Sequence, residues 1–295
     1  MATTHPLKMP TLMYGTAWKK DQTQNLVYQA LKAGFRAIDT AAQPKHYQEN
    51  QVGQGLRAFL NESRVRREEL HIQTKFTSLN GQDPKNLPYD PNVGIAEQVN
   101  ASVASSLQNL RHGEKREDAY IDCLILHSPF PIPSQTQEAW RAMESHVGPS
   151  VRSLGISNIC HLSALQALYD WAQIKPSIVQ NRFYAETGYD VEIRKFCAEK
   201  GVIYQSFWTL TANPDLLRSD FVVRLAEKVD VSSAVALYAL VIGLGKISVL
   251  NGTTNTGRMG EDLAGVEKVR VWSEEQPELW SHYQREFRQS LGDLV

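Results

Sequence analysis

Short apolar runs alternate along the chain with segments whose apolar residues recur at helical spacing. The runs are TLMYG (11–15), AIDTA (37–41), LHIQTKF (70–76), DCLILHSP (122–129), SLGISN (153–158), SIVQNRF (177–183), VIYQSF (202–207) and ISVLNGT (247–253), each bounded by polar or turn residues. Between them lie NLVYQALKAG (25–34), VGQGLRAFL (52–60), IAEQVNASVASSLQNL (95–110), LSALQALYDWA (162–172) and VEIRKFCAEKG (191–201), several closing on a glycine in C-cap position. The strand-type runs are apolar nearly throughout rather than alternating, which suits a parallel sheet covered on its outer face by helices. Eight such repeats predict an α/β fold of the (β/α)8 TIM-barrel type, one domain over residues 1–295 ending in a helical tail.

The rival architecture, an open doubly wound sheet that binds dinucleotides, needs G-x-G-x-x-G directly after its first strand, and the chain has none. The pair Gly53-Gln54-Gly55 sits inside a helical pattern without a third glycine and carries no phosphate-binding meaning. No low-complexity linker divides the chain. The polar stretch SLNGQDPKNLPYDPN (78–92) reads as a long loop, and WSEEQPELWSHYQREFRQSL (272–291) as a terminal helical segment; both are expected to cover one face of the barrel.

Charge narrows the partners. The formal net charge is −1, so there is no basic field to draw the protein to nucleic acid or an anionic membrane, and a small molecule is the expected partner. Cys123, Cys160 and Cys197 are odd in number, far apart and form no CxxC pair, which argues against a disulfide framework or a zinc ribbon and for a reducing, intracellular setting; no metal is expected. The start MATTHPLKMPTLMYG lacks the basic and apolar regions of a signal peptide, and no apolar stretch is long enough to span a bilayer. A soluble cytoplasmic protein is the expectation.

In a barrel of this kind the chemistry gathers where the carboxyl ends of the strands converge on one mouth. Asp39 ends the second strand, Lys75 the third and His127 the fourth, and Tyr47 lies on the loop leaving the second. Each has an ordinary reading: Asp39 as a turn cap, Tyr47 as a half-exposed ring, Lys75 as a solvated cation, His127 as a hydrogen-bonded core residue. Facing one pocket, the four describe proton transfer to a carbonyl as it receives a hydride. The lysine keeps its charge by pairing with the aspartate, and that charge is expected to lower the phenol from its usual value near 10.

These residues, in this order and spacing, resemble the aldo-keto reductases over almost the whole chain. The resemblance is carried by YGTAW (14–18), AIDTA with Tyr47, QTKF with Lys75, LILHSP with His127, GISN (155–158), VQN (179–181), YQSFWTL (204–210) and LNGTTNTGRMGEDL (250–263). It implies Asp39, Tyr47, Lys75 and His127 as the catalytic set, with Tyr47 the acid, and NADPH as the cofactor, bound without a dinucleotide-binding fold. Ser157, Asn158 and Gln180 match the positions that hold the nicotinamide carboxamide, and Phe207 the aromatic residue under the ring. Gly15, Thr16, Trp208 and Leu210 fall in the matching cofactor blocks. Asn251, Gly252, Thr253 and Thr254, followed by Arg258, match the segment gripping the adenosine phosphate, with Glu261 and Asp262 facing adenine. Trp18 and Phe130, on the loops around the mouth, are the expected substrate residues.

The sequence departs from the family pattern in four places. Tyr47 follows Asp39 at a longer interval than usual, through an insertion around Gln43, Pro44 and Lys45, so the loop must bulge. Gly252 replaces a common lysine, leaving Arg258 as the main expected cation for the 2′-phosphate and NADH as a weaker alternative cofactor. Trp208 stands for a common serine and Asp262 for a common asparagine. Reduction of an aldehyde or ketone is the implied activity; a non-redox step in the same barrel and a nucleotide-binding regulator are the alternatives. Trp18, the loop HSPFPIP (127–133), Trp208 and the C-terminal tail are expected to shape the mouth for an apolar or aromatic carbonyl compound.

Overall fold

The computed structural model describes residues 9–113 and 119–293. Residues 1–8, where the reading of a missing leader begins, lie outside the described residues. Eight parallel strands close into a barrel in sequence order: β1 (Leu12–Gly15), β2 (Ala37–Asp39), β3 (His71–Phe76), β4 (Ile121–Leu126), β5 (Val151–Ser157), β6 (Ile178–Arg182), β7 (Ile203–Phe207) and β8 (Ile247–Asn251). All six residues of β3 and of β4 are buried, as strands walled by helices outside and side chains inside must be. The barrel expected from the apolar runs is therefore the fold. Among the described residues no helix is long and apolar enough to cross a membrane.

The helices are α1 (Thr23–Ala33), α2 (Glu49–Glu62), α3 (Ile95–Asn109), α4 (Pro133–Glu144), α5 (Leu162–Trp171), α6 (Val191–Lys200), α7 (Pro214–Leu217), α8 (Asp220–Val229), α9 (Ser233–Ile242), α10 (Thr256–Glu275) and α11 (Pro277–Ser290). Residues 235–241 of α9 are buried without interruption, so that helix has no polar face and no helical period to read in the sequence. The terminal segment breaks where Pro277 starts α11.

The two segments expected over one face go different ways. The loop of residues 78–92 braces the mouth: Gln82 Nε2 donates to Ala42 O (2.8 Å), Tyr89 Oη to Thr77 O (2.6 Å), and Gln43 Nε2 reaches Gly81 O (2.6 Å). The tail instead packs along α8, α9 and α10. Gln284 Nε2 donates to Leu240 O, and Asp293 receives Arg194 and Arg288 in a buried cluster. No residue of 272–293 lines the cavity at the mouth, so the tail, within the described residues, does not shape it.

Gly53 and Gly55 have a steric role. A Cβ on Gly53 would stand 1.8 Å from Asn109 O at the end of α3, and one on Gly55 would stand 2.5 Å from Gln24 O in α1. Both contacts are with backbone, which cannot swing aside. Helix α2 is thus seated between its neighbours through two missing side chains, and it is α2 that receives the chain from the loop carrying Tyr47. Gly53→Ala is expected to destabilise the fold by about 1–3 kcal/mol or more through overpacking. Urea unfolding checks this: the midpoint falls in the variant, and an unchanged midpoint would show that α2 and α3 can separate freely.

Candidate active site

Alternation along β3 turns Gln73 and Lys75 toward the barrel interior, and Thr77 follows on the same side. The neighbouring strand brings Asp39 level with Gln73. Lys75 Nζ lies 2.6 Å from Asp39 Oδ1, 2.7 Å from Oδ2 and 2.9 Å from Thr40 O, so all three ammonium N–H bonds have acceptors. Asp39 Oδ1 also accepts from Gln73 Nε2 (2.6 Å) and Gln180 Nε2 (2.9 Å), and Gln205 Oε1 accepts from both glutamines. A polar layer fed by β2, β3, β6 and β7 thereby crosses the barrel just below its mouth.

The inserted loop reaches Tyr47 by a compact turn. Ala42 N bonds Lys75 O, His46 N and Tyr47 N both bond Gln43 O, and Trp18 N bonds His46 O. The Tyr47 ring ends with its centroid 5.3 Å from Lys75 Nζ and 6.2 Å from the His127 ring, edge-on. Asp39, Tyr47 and His127 line one cavity, and Lys75 lies directly beneath it. The bulge required by the longer interval is real, and it brings Tyr47 to the other three.

The electrostatics correct one expectation. Burial pushes the Tyr47 phenol up, and the nearby Asp39 charge pushes it further, so it lies above its ordinary value rather than below. Burial lowers the Lys75 ammonium, with Asp39 opposing that effect. Because Lys75 gives its N–H bonds to Asp39 and Thr40, none is left for the phenol, and the two groups interact only through space. His127 is pushed down to about 3, first by burial and then by the charges of Lys75 and His46, so its ring is neutral at physiological pH. Its Nδ1 lies 2.6 Å from Thr77 Oγ1. With that hydroxyl donating, Nε2 carries the proton and is a donor.

The cavity measures about 1250 Å³ and takes in most of the residues singled out in the sequence. Gly15, Trp18, Ser157, Asn158, Gln180, Phe207, Trp208, Leu210, Gly252, Thr253, Arg258, Glu261 and Asp262 all line it. Thr16, Thr254, Asn251 and Phe130 do not. Thr16 is a buried brace whose N and Oγ1 both donate to Asp39 O; Asn251 is buried, its Nδ2 on Asp262 Oδ2 (2.7 Å) and its Oδ1 on Thr253 N. Thr254 faces solvent, and Phe130 packs against the core. Trp18, Asn158 and Trp208 adopt left-handed backbone conformations (φ 63°, 54° and 57°), a strain that non-glycine residues carry mostly at functional sites.

The match to the aldo/keto reductase family model runs over residues 10–216, most of the chain. The chain belongs to the aldo/keto reductase family. Among its relatives, an oxidoreductase of Saccharomyces cerevisiae is 29% identical over 222 residues, 72% of this chain and 71% of the relative. The glyoxal reductase of Bacillus subtilis is 30% identical over 200 residues, 68% of this chain and 62% of its own length. The crystal structure of an aldo/keto reductase from Brucella melitensis superposes with a TM-score of 0.68 at 25% identity, covering 86% of this chain and 88% of that one.

As a family oxidoreductase the chain has cavity residues that its sequence did not single out. Lys19 extends its ammonium to Gly252 O and is lowered by burial. His46 stacks on Trp18 with ring centroids 3.7 Å apart, and its Nδ1 is buried without a partner. Arg182 and the ion-paired Lys268 and Asp230 also line the cavity. Thr77 was within reach of the alternation through Gln73 and Lys75; Lys19 and His46 had no local signal, because each is defined by what the barrel brings opposite it. Among the described residues no cluster of three or more His, Cys, Asp or Glu side chains could hold a metal ion.

A histidine held neutral opposes acidification. The unfolded chain takes up a proton near the ordinary value of 6.5 and the folded chain only near 3, so between these values His127 makes stability fall as pH falls. Urea unfolding of wild type and His127→Gln over this range isolates the contribution. The wild type is expected to lose up to about 1.4 kcal/mol more per pH unit than the variant; parallel slopes would mean the ring is not held neutral.

Proposed function

We propose that the protein reduces an aldehyde or ketone with a hydride from NADPH, with Tyr47 as the general acid. The observation that carries this reading is the buried Lys75–Asp39 pair beneath Tyr47, with His127 edge-on to the phenol, all at one cavity. A bound nicotinamide would supply the hydride. The cavity's groups fit such a cofactor: among the described residues Asn158 Oδ1 and Gln180 Oε1 accept no hydrogen bond, leaving both open to the N–H of a carboxamide. Phe207 offers an aromatic face beside them, and among the described residues Lys19 and Arg258 have no carboxylate within ion-pair distance. Lys19 at Gly252 brings a cation to the segment where the family's common lysine is missing.

The proton chemistry follows from the chain's own groups. A raised phenol stays protonated at neutral pH, which is the state an acid must be in to protonate an oxygen that becomes alkoxide. As the proton leaves, the Lys75 charge stabilises the phenolate that remains. Neutral His127, its Nδ1 engaged by Thr77, would donate from Nε2 to the same carbonyl oxygen and orient it. The oxygen would thus be held by two donors, only one of which gives up its proton. The relative named glyoxal reductase supports carbonyl reduction as the reaction class.

Tyr47→Phe keeps the ring and removes the proton. Turnover of NADPH with a panel of aldehydes is expected to fall by about 10²–10⁴-fold while the NADPH dissociation constant stays close to wild type; near-normal turnover would remove Tyr47 from its role. Arg258, at the start of α10, is the expected reader of the 2′-phosphate. Arg258→Ala should weaken NADPH about tenfold to a hundredfold and hardly change NADH. Fluorescence titration at fixed salt gives the ratio of the two constants, and a ratio that does not move would deny Arg258 that contact.

A further inference from the structure

Arg182 is a cation in the cavity that pairs with no carboxylate among the described residues. It ends β6 two residues after Gln180, so both side chains share the inner face, and Arg182 stands about 6.6 Å nearer the mouth than the polar layer that holds Gln180. Among the described residues no acceptor meets any of its side-chain N–H donors: Nε is buried without a partner, and no carboxylate lies within ion-pair distance. Its contacts are aromatic. The guanidinium carbon is 4.2 Å from the Trp208 ring centroid, 5.2 Å from that of Tyr184 and 5.8 Å from that of Phe207. The buried Arg67 and Arg194 also keep one N–H without a partner but differ from half-buried Arg182 in being ion-paired, Arg67 with Asp122 at 2.7 Å and Arg194 with Asp293 at 3.2 Å.

Stacking satisfies the face of a guanidinium and leaves its in-plane N–H edge free. That edge matches the paired oxygens of a carboxylate or a phosphate, and a partly desolvated donor without an acceptor is costly unless a ligand supplies one. In the closed order β1 to β8, β6 stands opposite β2, the strand that feeds the loop carrying Tyr47, and Arg182 and Tyr47 line the same cavity. We propose that Arg182 is an oxyanion-binding residue of this cavity, receiving a carboxylate or phosphate oxygen of the bound ligand while Trp208 holds the plane of its guanidinium. The proposal rests on the reading of the cavity as the carbonyl and cofactor site, and it adds to that site a place for an anionic group of the substrate or of the cofactor. The oxygen can come from a carbonyl substrate that bears a carboxylate or from a phosphate of the cofactor, and the experiment separates the two.

Arg182→Met and Arg182→Lys are compared with wild type in two arms. One measures the NADPH dissociation constant by fluorescence titration. The other measures KM for 4-oxobutanoate and for butanal, which share a chain length and differ by the carboxylate, at saturating NADPH. Arg182→Met is expected to weaken either NADPH or 4-oxobutanoate about tenfold to a hundredfold, to leave butanal within about twofold, and to be partly rescued by Arg182→Lys. Loss confined to 4-oxobutanoate assigns the oxygen to the substrate, and loss confined to NADPH assigns it to the cofactor. No change in either arm, or an equal change for butanal, overturns the proposal. Should the wild type reduce neither aldehyde, that result bears on the substrate range of the proposed activity and not on Arg182, and calorimetric binding of NADPH and 4-oxobutanoate to wild type and Arg182→Met still decides: a charge-dependent loss supports the anion site, and its absence overturns it.

Discussion

A carboxylate and an ammonium, each 1% exposed, set the terms for everything at the mouth of this barrel. Taking either ion out of water costs several kcal/mol, and their attraction offsets this only if the remaining lone pairs and protons are also satisfied. Asp39 and Lys75 meet that condition with groups from elsewhere: Gln73 and Gln180 on the carboxylate, Thr40 O on the ammonium. Those partners come to one level only if the strands keep their register around a closed circle. The ion pair therefore depends on the fold, and the loop beyond it depends on the ion pair, because Thr40 and Ala42 are both tied to β3 at and beside Lys75. Tyr47 is placed at the end of that chain of constraints.

The parts of this arrangement that a reader could see in the sequence are those with a local cause. Parallel strands buried on both sides must be apolar throughout, so LHIQTKF and DCLILHSP announce themselves, and a polar residue at the end of such a run stands out; Asp39, Lys75 and His127 were visible for that reason. Gln73 and Gln205 were not. They are separated by 132 positions and matter because barrel closure makes them neighbours. Helix α9 was hidden by its own burial, and the terminal helix was legible as a helix but not as to what it would lie against, since amphipathicity reports a face and not its partner.

The phenol's shift shows a different limit. Counting charges near Tyr47 gives one cation, Lys75, and suggests a lowered value. Geometry adds what counting omits: the ring is desolvated, Asp39 is close enough to oppose the lysine, and no ammonium N–H is left over to reach the phenol. Desolvation outweighs the cation, a balance that no list of neighbouring residues contains.

The full commitment of the Lys75 ammonium also bears on how the proposed acid, Tyr47, would regain a proton. A relay needs a donor that can hand one proton on while accepting another, and an ammonium whose three N–H bonds end on Asp39 and Thr40 O has none to offer Tyr47. The layer beneath the phenol is therefore an electrostatic floor and a dead end for proton traffic. If Tyr47 acts as the proposed acid, its phenolate is recharged from the side of the cavity, which the exposed rings of Trp18 and Trp208 line, and the open mouth then serves proton return as well as ligand entry.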